Sequence, residues 1–169
     1  MKNRKGTIFA IVTLVVFLGY FLIPYLGGDK NTKQLQRKNH EPAFQKEAQG
    51  AWISTKGDTI SFVDVELAKT PYEIETGLMY RSFMKKNQAM LFMFPDVKPR
   101  SFWMKNTKIS LDIVYLDDKF TMVSAAEYTK PFSEKSLPST YAAQYVLELN
   151  AGYLKSKNIK KGDRFVLID

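Results

Sequence analysis

MLFMFPDVKPRSFWMKNTKISLDIVYLD, residues 90–117, is the stretch whose reading decides the fold. It contains three short apolar runs, at 90–94, 101–104 and 111–116. Pro95, Pro99 and the polar turn Lys105-Asn106-Thr107-Lys108 separate them. Apolar runs this short, bounded by turn residues, read as buried β-strands, since helices need more length. Arg100, Trp103, Lys105, Asn106 and Asp112 are set into these strands. Asp112 stands among Leu111, Ile113, Val114, Tyr115 and Leu116. A carboxylate in such company must be paired or hydrogen-bonded if it is buried. The stretch therefore holds either a structural polar network or a site.

Upstream, Ala51-Trp52-Ile53-Ser54 and the alternating run 59–68 flank the turn Lys56-Gly57-Asp58, as in a β-hairpin. Thr70-Pro71-Tyr72-Glu73 supplies an N-cap, a proline at the first helical position and a capping-box glutamate. The short helix that follows stops at Gly77. Downstream, Asp117-Asp118-Lys119 turns into a strand over 120–128, and a serine-rich loop occupies 129–141. A loop of that length is often functional. A strand over 143–149, a helix over 151–157 capped by Asn150, and a strand over 164–168 complete the pattern. The expectation is a mainly β (α+β) domain over 51–169: a compact, barrel-like antiparallel fold of seven or eight short strands with two short helices.

The 169 residues leave room for one domain plus attachments, and 45% apolar content excludes disorder throughout. The net charge of +8 is concentrated outside that domain. Residues 1–50 carry 8 Lys/Arg against 3 Asp/Glu, and residues 51–169 carry 17 against 14. Lys2, Arg4 and Lys5 in the flank 1–6 precede the uncharged run 7–26, whose length as a helix is about 30 Å, a bilayer core. The expected arrangement is a single-pass inner-membrane anchor at 7–26 and a polar tether at 27–50, with the domain outside the cytoplasm. The alternative is a cleaved signal peptide and a secreted or periplasmic domain. The chain has no cysteine and a single histidine, His40, which removes Cys/His zinc sites, cysteine nucleophiles and Ser-His-Asp triads.

GLMYR (77–81), MLFMF (90–94), SFWMKNT (101–107), LDIVYLD (111–117), YVLELNAG (145–152) and GDR (162–164) stand in register along the chain. In that order and spacing the sequence resembles a bacterial and archaeal family known as domain of unknown function 192, over about residues 63–166. Where many relatives carry proline, this chain has Ser110. The resemblance implies a compact β-rich domain, often exported or membrane-tethered, and no established activity.

Alternation on a strand puts Ser101, Trp103 and Lys105 on one face and Arg100, Phe102 and Met104 on the other. Trp103 beside a cation, with Asp112 on the next strand and Arg81 as a second cation, suits a carboxylate, a phosphate or sugar hydroxyls. The expected ligand-binding residues are Arg81, Trp103, Lys105, Asn106 and Asp112, with 129–141 as a lid. The structural alternative is a core Trp103 with Asp112 paired to Lys105 or Arg81. Acid–base chemistry would need Asp112 with Glu148 or Asp117, but sequence spacing defines no such pair. Ser82-Phe83-Met84-Lys85 matches a bare S-x-x-K without its companion motifs. Met90 and Met93, three apart on a strand, face opposite sides and read as core filler rather than a copper site.

The expected function is thus a membrane-tethered extracytoplasmic binding or accessory module for a small polar or anionic ligand. An envelope protein–protein interaction module is the second reading, and a hydrolase or lyase using Asp112 and Lys105 the third. No catalytic residue, cofactor, metal or nucleic-acid partner is expected.

Overall fold

The computed structural model describes residues 41–168. Strand β1 (Ala48–Ile53) turns into β2 (Thr59–Ala68), and the two pair antiparallel with an irregularity between Trp52 and Ile53. The turn closes because Ser54 Oγ accepts the Lys56 and Asp58 amides, while Gly57 takes the left-handed conformation at φ 92°. Helix α1 (Pro71–Thr76) then begins as its sequence requires. Thr70 Oγ1 accepts the Glu73 amide, and the Glu73 carboxylate returns to the Thr70 amide at 2.8 Å. The crossover through α1 delivers β3 (Gln88–Lys98) parallel to β2, so the sheet is mixed rather than purely antiparallel.

Strands β4 (Ser101–Phe102), β5 (Leu111–Leu116), β6 (Met122–Ala126), β7 (Leu137–Pro138), β8 (Ala143–Asn150) and β9 (Arg164–Ile168) follow, with α2 (Tyr153–Lys157) between β8 and β9. Nine strands are therefore present among the described residues, where seven or eight are expected. Two of them are the two-residue β4 and β7, which pair with each other. The other seven form one sheet in the order β6-β5-β8-β3-β2-β1-β9. Of the three apolar runs of residues 90–117, the second forms β4 outside this sheet, and the first and third are not neighbours in it because β8 inserts between β3 and β5. Pairing of β3 with β8 breaks between Met93 and Lys98, where Pro95 has no N–H to donate.

The sheet is not closed into a barrel. Its end strands β6 and β9 form no ladder. They meet only through the single bridge Thr121–Arg164 and neighbouring backbone bonds such as Phe165 N to Phe120 O at 2.9 Å. One face of the sheet buries Trp52, Val65, Leu91, Val114, Leu147 and Phe165, and α2 adds Leu154 to that cluster. The other face buries Met90, Phe92, Met104, Ile113, Tyr115 and Val146. Period-two alternation sends successive residues of each strand to the two cores, so runs buried on both sides look continuously apolar. At Gly50 the approach of β9 is close enough that an added Cβ would lie 2.0 Å from Phe165 Cζ.

Three other local expectations are corrected. Asn150 ends β8, and its Nδ2 donates to Met84 O and Lys85 O instead of capping a helix; α2 begins after Gly152, at φ 79°. The first strand starts at Ala48, ahead of the expected domain start at Ala51. Residues of the expected tether lie against β2: Gln45 N donates to Glu66 Oε2, and Leu67 N donates to Glu47 Oε2 at 2.7 Å. Order there comes from polar side chains meeting backbone amides, which leaves no apolar period to read. The loop 129–141 is pinned through β7, through Ser139 N to Arg100 O, and through the Tyr115 hydroxyl to Leu137 O, so it is not a free lid. Among the described residues no helix is long and apolar enough to cross a membrane. The expected anchor at 7–26 lies outside the described residues.

Asp112 is fully buried, and its two carboxylate oxygens accept the Tyr128 amide at 3.0 Å and the Leu154 amide at 3.1 Å. It pairs with neither Arg81 nor Lys105. One side chain thereby ties β5 to the segment after β6 and to α2. Asp112→Asn keeps the shape but turns a donor toward one of two N–H groups, one buried and one partly buried. It is expected to cost about 2–4 kcal/mol, read as a lowered denaturation midpoint.

Candidate functional site

The second core face carries a polar row across three strands. Glu66 on β2 is level with Met90 on β3, and Met90 with Glu148 on β8. Arg81 reaches this row from the loop after α1 and grips Glu66 with two bonds, Nη1 to Oε2 at 2.7 Å and Nη2 to Oε1 at 2.6 Å. Both side chains are largely sequestered from solvent. The fork-to-fork geometry satisfies the pair, and removing one partner would strand a buried charge.

Glu148 receives no such treatment. It is buried, and its Oε2 has no hydrogen-bond partner among the described residues; Arg81 Nε is likewise without one among them. Loss of water disfavours the charged form and pushes the carboxyl up to about 8, against a weaker pull downward from the Arg81 guanidinium. The same neighbourhood pushes up the Tyr115 hydroxyl, first through burial and then through Glu148. At neutral pH Glu148 is mostly the neutral acid, able both to donate and to accept a hydrogen bond.

Glu148 forms the back of a crevice of about 30 Å³, lined also by Gly77, Phe92, Phe102, Trp103 and Thr107. That is room for one water-sized polar group. Gly77, at φ 48°, keeps the crevice open. A Cβ there would lie 2.9 Å from Phe92 Cζ and 3.8 Å from Glu148 Oε2.

Outside the crevice lining, beside Met79 and Thr107, three residues hold strained backbone. Tyr80, Asn106 and Phe132 hold positive φ of 68°, 55° and 59°. Bonds lock them together: Tyr80 N to Asn106 O at 2.9 Å, Asn106 Nδ2 to the Tyr80 hydroxyl at 2.9 Å, and Phe132 N to Thr107 O at 3.1 Å. Left-handed geometry at residues other than glycine is costly and concentrates at functional sites. Trp103, which lines the crevice, is 44% exposed with Lys105 Nζ 5.0 Å from its ring; Tyr80 and Phe132, outside the lining, are exposed as well.

The structure therefore brings Trp103, Lys105 and Asn106 together at the rim and places Arg81 behind them, committed to Glu66. Asp112 does not line the crevice. Its neighbours Val114 and Leu116 pack in the opposite core, so it projects to the other face of the sheet. Trp103 is a surface platform rather than a core residue. Arg100, the other cation of the strand, is also structural: its Nε donates to Ala143 O at 3.1 Å, and its guanidinium lies 4.0 Å from the Phe94 ring centroid. Glu148 is the residue that sequence reasoning undervalued. The signal was a lone carboxylate within Val146-Leu147-Glu148-Leu149, the same signal that singled out Asp112.

The chain is similar over most of its length to proteins of known structure. A proposed transcription regulator from Sinorhizobium meliloti is 37% identical, with TM-score 0.70, over 76% of this chain and 98% of its own. A protein of unknown function from Novosphingobium aromaticivorans is 28% identical, with TM-score 0.67, over 76% and 94%. No curated protein matches the chain significantly. Residues 52–167 match the DUF192 family, "Uncharacterized ACR", and the chain belongs to that family.

Glu148 has a pH signature. Below its ordinary value of 4.5, folded and unfolded chains both hold the proton. Between 4.5 and about 8 the unfolded chain ionises while the folded one keeps its proton, so this contribution to stability declines as pH rises and is gone above 8. The melting temperature is expected to fall by several degrees from pH 5 to pH 8.5. Glu148→Gln should remove that part of the slope; an unchanged slope in the variant would show that another group titrates.

Proposed function

We propose that this chain is a membrane-tethered extracytoplasmic binding module, and that the crevice takes an uncharged polar ligand of the saccharide or polyol type. One observation carries the reading: a buried carboxyl with an unpartnered oxygen lies beneath an exposed aromatic platform. A neutral acid matches a ligand hydroxyl, which also both donates and accepts. An aromatic face complements the apolar face of a sugar ring, and Trp103 and Glu148 line the same small crevice. Arg81 is neutralised by Glu66, so the crevice offers an anion little beyond Lys105 at its edge. Tethering is supported by the uncharged run 7–26 and its basic flank.

Docking of an envelope protein on the same rim is a second reading, favoured by the exposed aromatic side chains of Tyr80, Trp103 and Phe132.

Titration of the full chain with neutral mono- and oligosaccharides should change the fluorescence of Trp103, since the other tryptophan, Trp52, is fully buried. Trp103→Ala is expected to weaken binding about tenfold or more. Glu148→Leu should do the same, whereas Glu148→Gln, which keeps a donor and an acceptor, should bind nearly as well. Affinity should drop above pH 8 as the acid ionises. Absence of saturable binding by any neutral saccharide up to roughly 10 mM would sink the ligand assignment.

A further inference from the structure

A second, larger cavity lies beyond the end of β8 and shares no lining residue with the crevice. It encloses about 540 Å³, within the size range of small-molecule sites. Phe62, Lys86, Asn87, Asn150, Tyr153 and Lys157 form its working surface, and among the described residues no carboxylate lines it. Lys86 and Lys157 make no ion pair among the described residues, so two exposed cations face the cavity uncompensated. Phe62, on β2, is 54% exposed, a large aromatic ring left in solvent beside them.

The walls are fixed before any ligand arrives. Asn150 Nδ2 holds the loop before β3 by donating to Met84 O at 3.2 Å and Lys85 O at 2.9 Å. Asn87 Nδ2 donates to Asp64 Oδ2 at 3.3 Å, and the Tyr153 hydroxyl donates to Ser61 Oγ at 2.9 Å. With both amide nitrogens engaged, the carboxamide oxygens of Asn87 and Asn150 are the available acceptors. The cavity thus offers positive charge, an apolar ring and acceptors for hydroxyl donors.

We propose that this cavity binds a free sugar phosphate. The phosphate is held by Lys86 and Lys157 as point charges, the apolar face of the ring lies on Phe62, and ring hydroxyls donate to the Asn87 and Asn150 oxygens. This site is independent of the Trp103 crevice.

The test is calorimetric titration of the full chain in detergent with glucose 6-phosphate. Glucose, inorganic phosphate and dihexanoyl phosphatidylglycerol below its micelle concentration serve as separate arms. Glucose 6-phosphate is expected to bind saturably and more tightly than either glucose or phosphate, with affinity falling as salt rises. The double variant Lys86→Ala, Lys157→Ala should weaken it about tenfold or more, and Phe62→Leu several-fold. These positions are exposed, so the fold should survive; Trp103→Ala should leave this binding unchanged. No saturable binding at millimolar concentration overturns the proposal, as does binding indifferent to the two lysines. Equal binding of phosphate alone would mean a simple anion site. Tighter binding of the phosphatidylglycerol would mean a lipid-headgroup site. An equal loss in Trp103→Ala would place the ligand in the crevice.

Discussion

Two amides from distant parts of the chain end on one carboxylate, and the packing of this domain depends on that junction. Tyr128 N and Leu154 N both donate to Asp112. The first fixes the exit from β6, and the second fixes the start of α2 against the sheet. Leu154 then fills the core between Val65, Val114 and Leu149. Two backbone hydrogen bonds satisfy the buried side chain, and they orient elements that carry little intrinsic order. α2 has five residues and no side-chain cap, too few to persist without such docking.

Asp112 and Glu148 make an instructive contrast. Both are buried carboxyls on central strands, on opposite faces of one sheet. Asp112 is saturated by donors. Glu148 lies near a guanidinium already committed to Glu66 and responds by holding its proton. A saturated carboxylate is what a scaffold needs, whereas an unsaturated acid beside an opening is a chemical resource. Strained backbone at Tyr80, Asn106 and Phe132 is held by hydrogen bonds among these loops.

Much of the architecture was legible because it is local. The capping box at Thr70, the hairpin around Gly57 and the strand over Leu111–Leu116 follow from neighbouring residues alone. What was hidden is long-range. Nothing near Met90 announces that β3 runs parallel to β2 or that β8 will separate it from β5. The same limit governed the site. Trp103, Lys105 and Asn106 are close in sequence and end up close in space. Assigning Asp112 a partner required knowing which face Arg81 would reach, and Arg81 found Glu66, fifteen residues upstream and on a strand whose pairing could not be foreseen.

Strand β9 is the last element of the sheet and lies along β1, the first. Until it arrives, β1 presents open amides and carbonyls, and the bare backbone at Gly50 awaits the Phe165 ring. During synthesis the chain must therefore keep an unprotected, self-complementary edge from pairing with other copies until nearly every residue of the domain has emerged. The hairpin forms early, but its outer edge is sealed late. Vulnerability to aggregation is thus concentrated in the interval between those two events, and it is greatest for chains whose translation stops short of residue 164.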